Sequence, residues 1–289
     1  MEIRNIQKTG NMHYLYLPTK WCKANKINSD SKVSVDLDER GNLIVSPKIV
    51  ERLKKKLMLK VSEDNQELIN MLLVACYINP TDSFKINLDK ELDFTKILDQ
   101  KKLISLEVVE LDGSTISCDS PITIADTESL LKTLVSKIRN MLFVMSNNYN
   151  RELIERYEEE VDRTKLHLEK SVIEAFTFGR SSRTKAIDLY YYSLIARQLE
   201  QAVDYLVSLD EKEQKFFKIM LDIINTLKDI LDNQDHFDYN TVLKFTKKVM
   251  DIEKIRVKDV ATYDKRRAKR CMLNVAEVLL DKSITKELE

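Results

Sequence analysis

Residues 126–289 contain a single glycine, Gly179, and no proline. Because Gly and Pro are the residues that most readily interrupt a helix, this composition favours long helices. Apolar residues recur at helical spacing on both sides of the glycine, at Ile154, Val161, Leu168 and Val172 before it and at Leu189, Ala196, Val203 and Val207 after it. The pattern predicts an antiparallel pair of helices joined by a turn at 179–182.

Two Glu-x-x-x-Asp quartets lie in these helices, at Glu158 and Asp162 and at Glu200 and Asp204. Glu158 and Glu200 are each 21 residues from Gly179, so an equal rise per residue would bring them to one level. Carboxylates that face each other repel unless cations, protons or basic partners compensate them, and oxygen ligands suit hard cations, iron or manganese. The alternative is that they are solvated charges on long helices in a chain that is 33% charged.

The helical pattern extends over six helices. Asp126 is a helix cap before an apolar stripe formed by Leu131, Leu134, Val135, Ile138, Leu142 and Met145. After the helix pair around Gly179, further helices are predicted at 211–231, 239–260 and 263–280, with breaks at 236–238 and 261–262. Two successive units of three helices indicate an internal duplication. Their Met and aromatic side chains are expected in the core, such as Phe216, Phe217, Met220 and Phe245.

Residues 3–47 have the alternating pattern of short strands. Strands are predicted at 3–8 and 13–17 around a turn at 9–11, followed by a short helix at 19–25 after Pro18. A second hairpin is predicted from strands at 32–37 and 43–45. A unit of this size buries little of its own apolar surface, so a dimer that shares strands is expected.

Residues 50–122 predict a small α/β linker domain, with a helix at 65–77, a strand at 84–87 and a hairpin formed by 103–111 and 115–118 around Asp112 and Gly113. The segment has no phosphate-binding loop, catalytic triad or glycine-rich fingerprint. The sequence assigns it no function.

Charge and cysteine content limit the partners and the location. The chain has no net charge, but residues 1–60 contain 13 Lys and Arg against six Asp and Glu. Such a surplus supports phosphate contacts without sequence readout, or a basic surface used only to dimerise or to dock a protein.

The longest apolar stretch, 68–78, is too short to span a bilayer, no signal sequence opens the chain, and the four cysteines are widely separated. We expect a cytoplasmic protein with free thiols and no membrane insertion.

The N-terminal segment resembles the AbrB-like swapped-hairpin domain. The resemblance rests on Leu17-Pro18-Thr19-Lys20-Trp21, on the strand at 32–37, and on the strand at 43–47 that closes near a Pro. It implies a homodimer that binds DNA. Arg4 and Lys23 match basic residues that family members place on DNA, whereas Asn11 and Cys22 stand where arginines often occur. The remaining basic candidates for DNA contact in this segment are Lys8, Lys20 and Lys26.

Residues 126–281 resemble the PhoU phosphate-signalling family. The resemblance rests on tandem three-helix units and on Leu-Ile-Ala-Arg-Gln-Leu before Glu-x-x-x-Asp, at 194–204. It implies a multinuclear metal cluster of iron, zinc, manganese or magnesium on Glu158, Asp162, Glu200 and Asp204. In the last helix Arg266 and Arg270 stand where the second Glu and Asp of the family belong, so the basic run 265–270 is a candidate for binding an anion or an acidic partner.

The histidine content bears on the class of function. A di-iron carboxylate oxidase needs Glu-x-x-His pairs. Three residues before His167 stands Thr164, and three before His236 stands Asn233, so neither histidine belongs to such a pair. Because the chain has only three histidines, we do not expect it to be an enzyme. Two classes remain: an adaptor that docks on a phosphate transporter or sensor kinase, and a DNA-binding transcriptional regulator.

The sequence as a whole favours the regulator. An AbrB-like domain ahead of a PhoU-like domain is similar to archaeal phosphate uptake regulators. We therefore expect a mainly α, multidomain regulator of phosphate uptake, with a swapped-hairpin β domain at 1–48, a small α/β linker domain at 49–122, and tandem three-helix bundles at 123–289.

Overall fold

The computed structural model describes residues 3–37, 41–47, 56–79, 81, 83–90, 109–112, 114–119, 126–178, 184–233 and 237–288. The chain divides into two compact units, Met1–Leu53 and Lys54–Glu289. The protein is mainly helical, with small sheets, as the sequence predicts. No helix in the described part of the chain combines the length and the apolar composition that crossing a membrane requires.

The first unit consists of two separate hairpins and one short helix. Strands β1 (Gln7–Thr9) and β2 (Met12–Tyr14) pair antiparallel, and β3 (Ser34–Leu37) pairs antiparallel with β4 (Leu43–Ser46). Helix α1 (Thr19–Ala24) lies between the hairpins and begins directly after Pro18, as predicted. The predicted strands at 3–8 and 13–17 are longer than the three-residue strands that the structure contains.

The end of α1 places Lys26 in a left-handed conformation, at φ 55°. The amide of Ile27 donates to the Cys22 carbonyl at 2.9 Å, and the amide of Lys26 donates to the Lys23 carbonyl at 3.2 Å. These two bonds form a Schellman motif, whose left-handed position usually holds glycine. Lys26 therefore projects from a fixed turn beside the helix.

The second unit begins with a four-stranded sheet in the order β5-β6-β8-β7. Strand β5 (Lys56–Val61) pairs parallel with β6 (Ser83–Leu88), and helix α2 (Gln66–Ile78) connects them. Strands β7 (Val109–Asp112) and β8 (Thr115–Asp119) form the predicted hairpin, and β8 pairs with β6. The predictions of α2, β6 and this hairpin are confirmed, β5 was not predicted, and 103–108 and Gly113 lie outside the described residues.

Six long helices follow: α3 (Thr127–Asn147), α4 (Arg151–Phe178), α5 (Ala186–Val207), α6 (Gln214–Asp232), α7 (Tyr239–Met250) and α8 (Val260–Glu287). The Asp126 carboxylate accepts from the amide of Ser129, which confirms the predicted cap of α3. The turn predicted at 179–182 lies between α4 and α5, outside the described residues.

The prediction was wrong at α7 and α8. A helix was predicted over 239–260 with a break at 261–262, whereas α7 ends at Met250 and residues 261–262 are inside α8. The reason is a capping box at the start of α8. The Asp259 carboxylate accepts a hydrogen bond from the amide of Thr262 at 2.8 Å, and the Thr262 hydroxyl accepts one from the amide of Asp259 at 3.1 Å. Asp259 therefore starts a new helix where apolar periodicity alone continued the old one.

The helical core joins both sets of three helices. Helix α3 packs on α4 and α6, α5 packs on α4 and α8, and α7 packs on α8. All six predicted residues of the α3 stripe are buried in one cluster together with Phe216, Phe217, Met220 and Phe245, and so are the eight stripe residues of α4 and α5. The two sets of helices thus share one core.

A polar contact ties α3 to α4 beside this core. The Lys137 ammonium donates to the Glu160 carboxylate at 2.6 Å and to the Thr164 hydroxyl at 2.9 Å. The hydrogen bond from Lys137 is the main cause that lowers the pKa of Glu160. Burial raises this pKa to a smaller extent, and the positive charges of Lys137 and Arg163 lower it further.

We expect Glu160→Gln to lower the free energy of unfolding at neutral pH by less than about 1 kcal/mol, because the pair is partly solvated. Since the folded-state pKa is depressed, the stabilisation is present above the unfolded pKa and is lost as pH falls through the folded pKa. Urea unfolding followed by circular dichroism should therefore show the variant and the wild type converging in acid. The control is Glu253→Gln, which replaces an exposed carboxylate. If the free energies of unfolding of Glu160→Gln and the wild type differ by the same amount at neutral and at acid pH, the pair with Lys137 does not account for the difference.

Candidate cation-binding and DNA-binding sites

Helices α4 and α5 run antiparallel, as the sequence predicts. At the start of α4, the Arg151 guanidinium donates to the Val207 carbonyl at the end of α5, at 2.6 Å. The Tyr149 hydroxyl, just before α4, donates to the Leu209 carbonyl at 2.9 Å. These contacts hold the open end of the helix pair together and show that the start of α4 lies beside the end of α5.

Three of the four predicted acidic residues meet between these helices. Asp162, Glu200 and Asp204 each offer a carboxylate oxygen, and these atoms all lie within 4.8 Å of one another. Each residue directly follows a buried apolar residue of its helix, namely Val161, Leu199 and Val203. Because the apolar stripes face the contact between α4 and α5, the residue after each buried apolar residue lies at the edge of that contact. The three carboxylates occupy these positions.

Glu158 does not belong to this group of three. It is half-buried on α4, one helical turn before Asp162 and about 6 Å away along the axis. The connection explains the difference: α4 ends at Phe178 and α5 begins at Ala186, so its midpoint is position 182 rather than 179. Position 162 then lies opposite position 202, midway between Glu200 and Asp204.

Helix α8 supplies neighbours that sequence patterns did not identify. The pKa of the Cys271 thiol is raised mainly by burial; Arg267 lowers it, and Asp204 and Glu200 raise it. Arg267 donates to the Tyr205 hydroxyl at 3.2 Å and lies 5.4 Å from the centroid of its ring. A thiol and a guanidinium thus border the carboxylates, more than 60 residues away in sequence, and no local motif signals their approach.

The three carboxylates form a donor set that could hold a hard cation. Three carboxylates this close repel one another, and the two that are half-buried, Asp162 and Glu200, are partly shielded from the water that would otherwise weaken this repulsion. An oxygen-only donor set fits Mg²⁺, Mn²⁺ or iron, and suits the softer preferences of zinc less well. The donors present therefore fit the class of metal that the sequence predicts.

The basic run 265–270 is largely engaged within the bundle. Lys265 pairs with Glu213 at 2.8 Å, and Lys269 donates to the carbonyls of Ile252 and Met250. Arg267 contacts Tyr205, as described above. Arg266 and Arg270 are exposed on α8. Most of this run therefore contacts other parts of the bundle, and an anion bound to it would contact only part of its positive charge.

The five predicted DNA-binding residues are all exposed in the first unit. Arg4 precedes β1, Lys8 lies in β1, and Lys20 and Lys23 lie one helical turn apart on α1. Lys26 projects from the turn that ends the helix. The arrangement presents positive charge on both a strand and a helix.

The first unit also exposes its apolar side chains. No side chain described within residues 3–47 is buried, and Leu37 and Leu43, which face each other across β3 and β4, are 74% and 53% exposed. The other large apolar side chains exposed there are Ile3, Ile6, Met12, Tyr14, Leu15, Tyr16, Val35 and Ile44. Exposure on this scale marks an interaction surface.

Comparison of the chain with protein-family models, with curated proteins and with solved structures finds no match.

Proposed function

We propose that the protein is a dimeric DNA-binding regulator with a cation-binding helical bundle, acting in the regulation of phosphate uptake. The phosphate role rests on the resemblance of 126–281 to the PhoU family and of 3–47 to AbrB-like domains. The biochemical part rests on observations from the two units.

One observation carries the proposal: the first unit folds into two hairpins and a helix without burying a single described side chain. An isolated two-stranded hairpin is marginally stable in water, and two that do not pair with each other need another surface. A second copy of the same segment offers complementary unpaired strands and matching apolar faces. Dimerisation through this unit supplies the missing core.

The charge of the first unit supports DNA as the ligand. Residues 1–60 carry seven more positive than negative charges, and the five exposed basic side chains belong to a strand, a helix and a fixed turn. In a dimer this surface is duplicated around a two-fold axis, as suits a duplex. Lys residues make charge contacts with phosphates, so we expect strong salt dependence and modest sequence preference from these residues.

The bundle is proposed to bind one or more cations through Asp162, Glu200 and Asp204, with Glu158 one turn away on the same helix. A bound cation would neutralise the mutual repulsion of the carboxylates and link α4 to α5. The side chains themselves bring the three oxygens together and hold them on two helices fixed by the contacts of Arg151 and Tyr149. Cation binding is thereby coupled to the packing of the bundle.

A gel shift of the purified full chain on phosphate-transport promoters from its own genome, with and without inorganic phosphate, tests the proposal. We expect a retarded complex whose amount depends on phosphate, and weaker binding to an unrelated duplex of equal length. Absence of a complex at low salt on every duplex would contradict DNA binding. Co-purification with a phosphate transporter or sensor kinase would then favour the adaptor.

A further inference from the structure

The exposed face of α8 carries opposite charges in its two halves. Arg266 and Arg270 lie in the first half, and Glu277 and Asp281 lie in the second half. All four side chains are exposed, and none of them forms an ion pair or a side-chain hydrogen bond within the part of the chain that the structure describes. Because α8 is continuous over 28 residues, both halves belong to one helix about 42 Å long.

This charge pattern is unfavourable within a single copy of α8. Residues four apart on a helix are neighbours, so Arg266 repels Arg270 and Glu277 repels Asp281. The nearest opposite charges, Arg270 and Glu277, are seven residues or about 10 Å apart along the helix axis, beyond the spacing at which such pairs form. The opposite charges of α8 therefore meet only if a second surface brings them together.

The charged and apolar residues of this face are arranged symmetrically about its middle. The midpoint is the peptide bond between Leu273 and Asn274. The fourth, eighth and eleventh residues before it are Arg270, Arg266 and Tyr263, and the fourth, eighth and eleventh after it are Glu277, Asp281 and Ile284. Spacings of four and three residues keep all six on one helix face. Each arginine thus has an acidic counterpart, and the 47% exposed tyrosine has a 52% exposed isoleucine.

We propose that α8 packs antiparallel on α8 of a second copy of the chain, about a two-fold axis at this midpoint. Each residue then lies opposite the residue at the same distance on the other side of the midpoint. Arg270 faces Glu277 of the second copy, Arg266 faces Asp281 of the second copy, and Tyr263 packs on Ile284 of the second copy. The axis generates each contact twice, so the helix pair has four ion pairs and an apolar contact at both ends.

The charges favour a second copy over other occupants of this face. A ligand of a single sign, such as DNA or an anionic membrane, would attract the arginines and repel the carboxylates on the same face. Two copies packed in parallel would bring like charges together. The antiparallel pair places an opposite charge against each of the four residues. Charge complementarity therefore specifies both the occupant and its direction.

This contact is separate from the dimerisation proposed for the first unit, because it uses α8 alone. One helix packed on one helix buries little area compared with the roughly 1,600 Å² of a standard interface, so we expect a weak association by itself. A single two-fold axis can serve both contacts, and each contact then raises the effective concentration for the other. Both contacts are thus compatible with one dimer of the chain.

Disulfide trapping in the full chain tests the proposal. In the variant Tyr263→Cys with Ile284→Cys, thiol exchange with oxidised glutathione should link position 263 of one copy to position 284 of the other. Within one chain these positions are about 31 Å apart along α8, which excludes a disulfide between them. Non-reducing electrophoresis measures the covalent dimer, and peptide mass spectrometry identifies the linked positions. The chain without substitutions reports any link formed by Cys22, a native cysteine that is not buried.

The variant Val260→Cys with Ile284→Cys is the matched control for register. Val260 is 75% exposed and therefore more accessible than Tyr263, but it is three residues out of register with position 284. Its link should form at least about tenfold more slowly, because a disulfide needs close approach of the two Cβ atoms. Equal rates for the two variants, or no link between positions 263 and 284, would overturn the proposal.

Charge reversal in the two-cysteine variant tests the ion pairs. Arg266→Glu with Arg270→Glu turns all four pairs into repulsions, so the link should form more than about tenfold more slowly, since each exposed pair contributes a factor of about two. Adding Glu277→Arg and Asp281→Arg restores opposite charges in every pair and should restore the rate. Circular dichroism checks that each variant is folded.

A rate that ignores the reversal, or that the full charge exchange does not restore, would contradict the ion pairs. A dimer held only through the first unit would leave positions 263 and 284 unlinked in every variant. Failure of the α8 contact would therefore leave the DNA-binding proposal standing, and the gel shift tests that proposal separately.

Discussion

Replacing Arg4 and Lys23 with alanine should weaken binding to every duplex by a similar factor and flatten its dependence on salt. Each phosphate contact contributes about 0.9 to the slope of log affinity against log salt concentration. A dimer loses two contacts per chain, so the slope should fall by roughly three to four in magnitude. Fluorescence anisotropy of a labelled duplex, titrated at several salt concentrations, measures both quantities.

The control for this experiment is Lys244→Ala with Lys247→Ala, which removes the same charge from an exposed face of α7 in the second unit. It should leave the affinity and the slope close to those of the wild type. If the Arg4 and Lys23 variant binds with unchanged affinity and slope, these two residues are not DNA contacts. If both variants lose affinity equally, only the total charge matters, and the surface assigned to the first unit is wrong.

Divalent cations should stabilise the helical bundle through the group of three carboxylates. At a metal concentration about one hundred times the dissociation constant, the free energy of unfolding should rise by about 2.7 kcal/mol. Glu200→Gln with Asp204→Asn should abolish this increase and leave the helices intact, because both residues stand at the edge of the helix contact. Without metal, the variant should be as stable as the wild type or more so, since the repulsion disappears with the charges.

The chain provides a matched control for the metal experiment. Glu277 and Asp281 repeat the Glu-x-x-x-Asp spacing on an exposed face of α8, and Glu277→Gln with Asp281→Asn removes the same charges. Thermal unfolding with magnesium, manganese, iron and zinc, together with elemental analysis of protein purified without chelator, should separate the two variants. A wild-type melting temperature that ignores all four metals would make the three residues solvated charges.

A further comparison distinguishes the residues of α4. Asp162→Asn should weaken metal binding strongly, because Asp162 is the α4 member of the group. Glu158→Gln should weaken it less, because Glu158 lies one turn away. Equal effects would indicate a cluster large enough to span both turns, as the resemblance to the PhoU family implies.

The sequence predicted the helices and their buried faces because apolar periodicity is a local property of each helix. The stripes on α3, α4 and α5 are buried as expected, and so is Phe217 of α6. The short helix after Pro18 was predicted from the proline itself, which suits the first turn. These features follow from neighbouring residues alone.

Features that depend on competing local signals were harder to predict. The break between α7 and α8 is set by the cap at Asp259, and apolar spacing across 251–259 concealed it. Strand β5 follows a run of lysines that masks its alternation, and its parallel partner β6 is more than 20 residues away. Which acidic residue of α4 faces α5 depends on the length of the connection between them, which helical spacing alone does not define.

Sites made from distant residues gave no sequence signal at all. Asp188 and Lys282 are more than 90 residues apart and form an ion pair only because α5 packs on α8. Cys271 and Arg267 approach the carboxylates for the same reason. In contrast, Glu200 and Asp204 could be found because both lie on one helix at a spacing that places them on the same face.

The most direct test of the account is the mass of the full chain, alone and on DNA, by analytical ultracentrifugation. We expect a particle of about twice 33.8 kDa without DNA, and two chains on one duplex at saturation. A particle of 33.8 kDa at concentrations that saturate DNA binding would contradict dimerisation through the first unit. A dimer that leaves the duplex unbound at low salt would contradict its role as a DNA-binding surface.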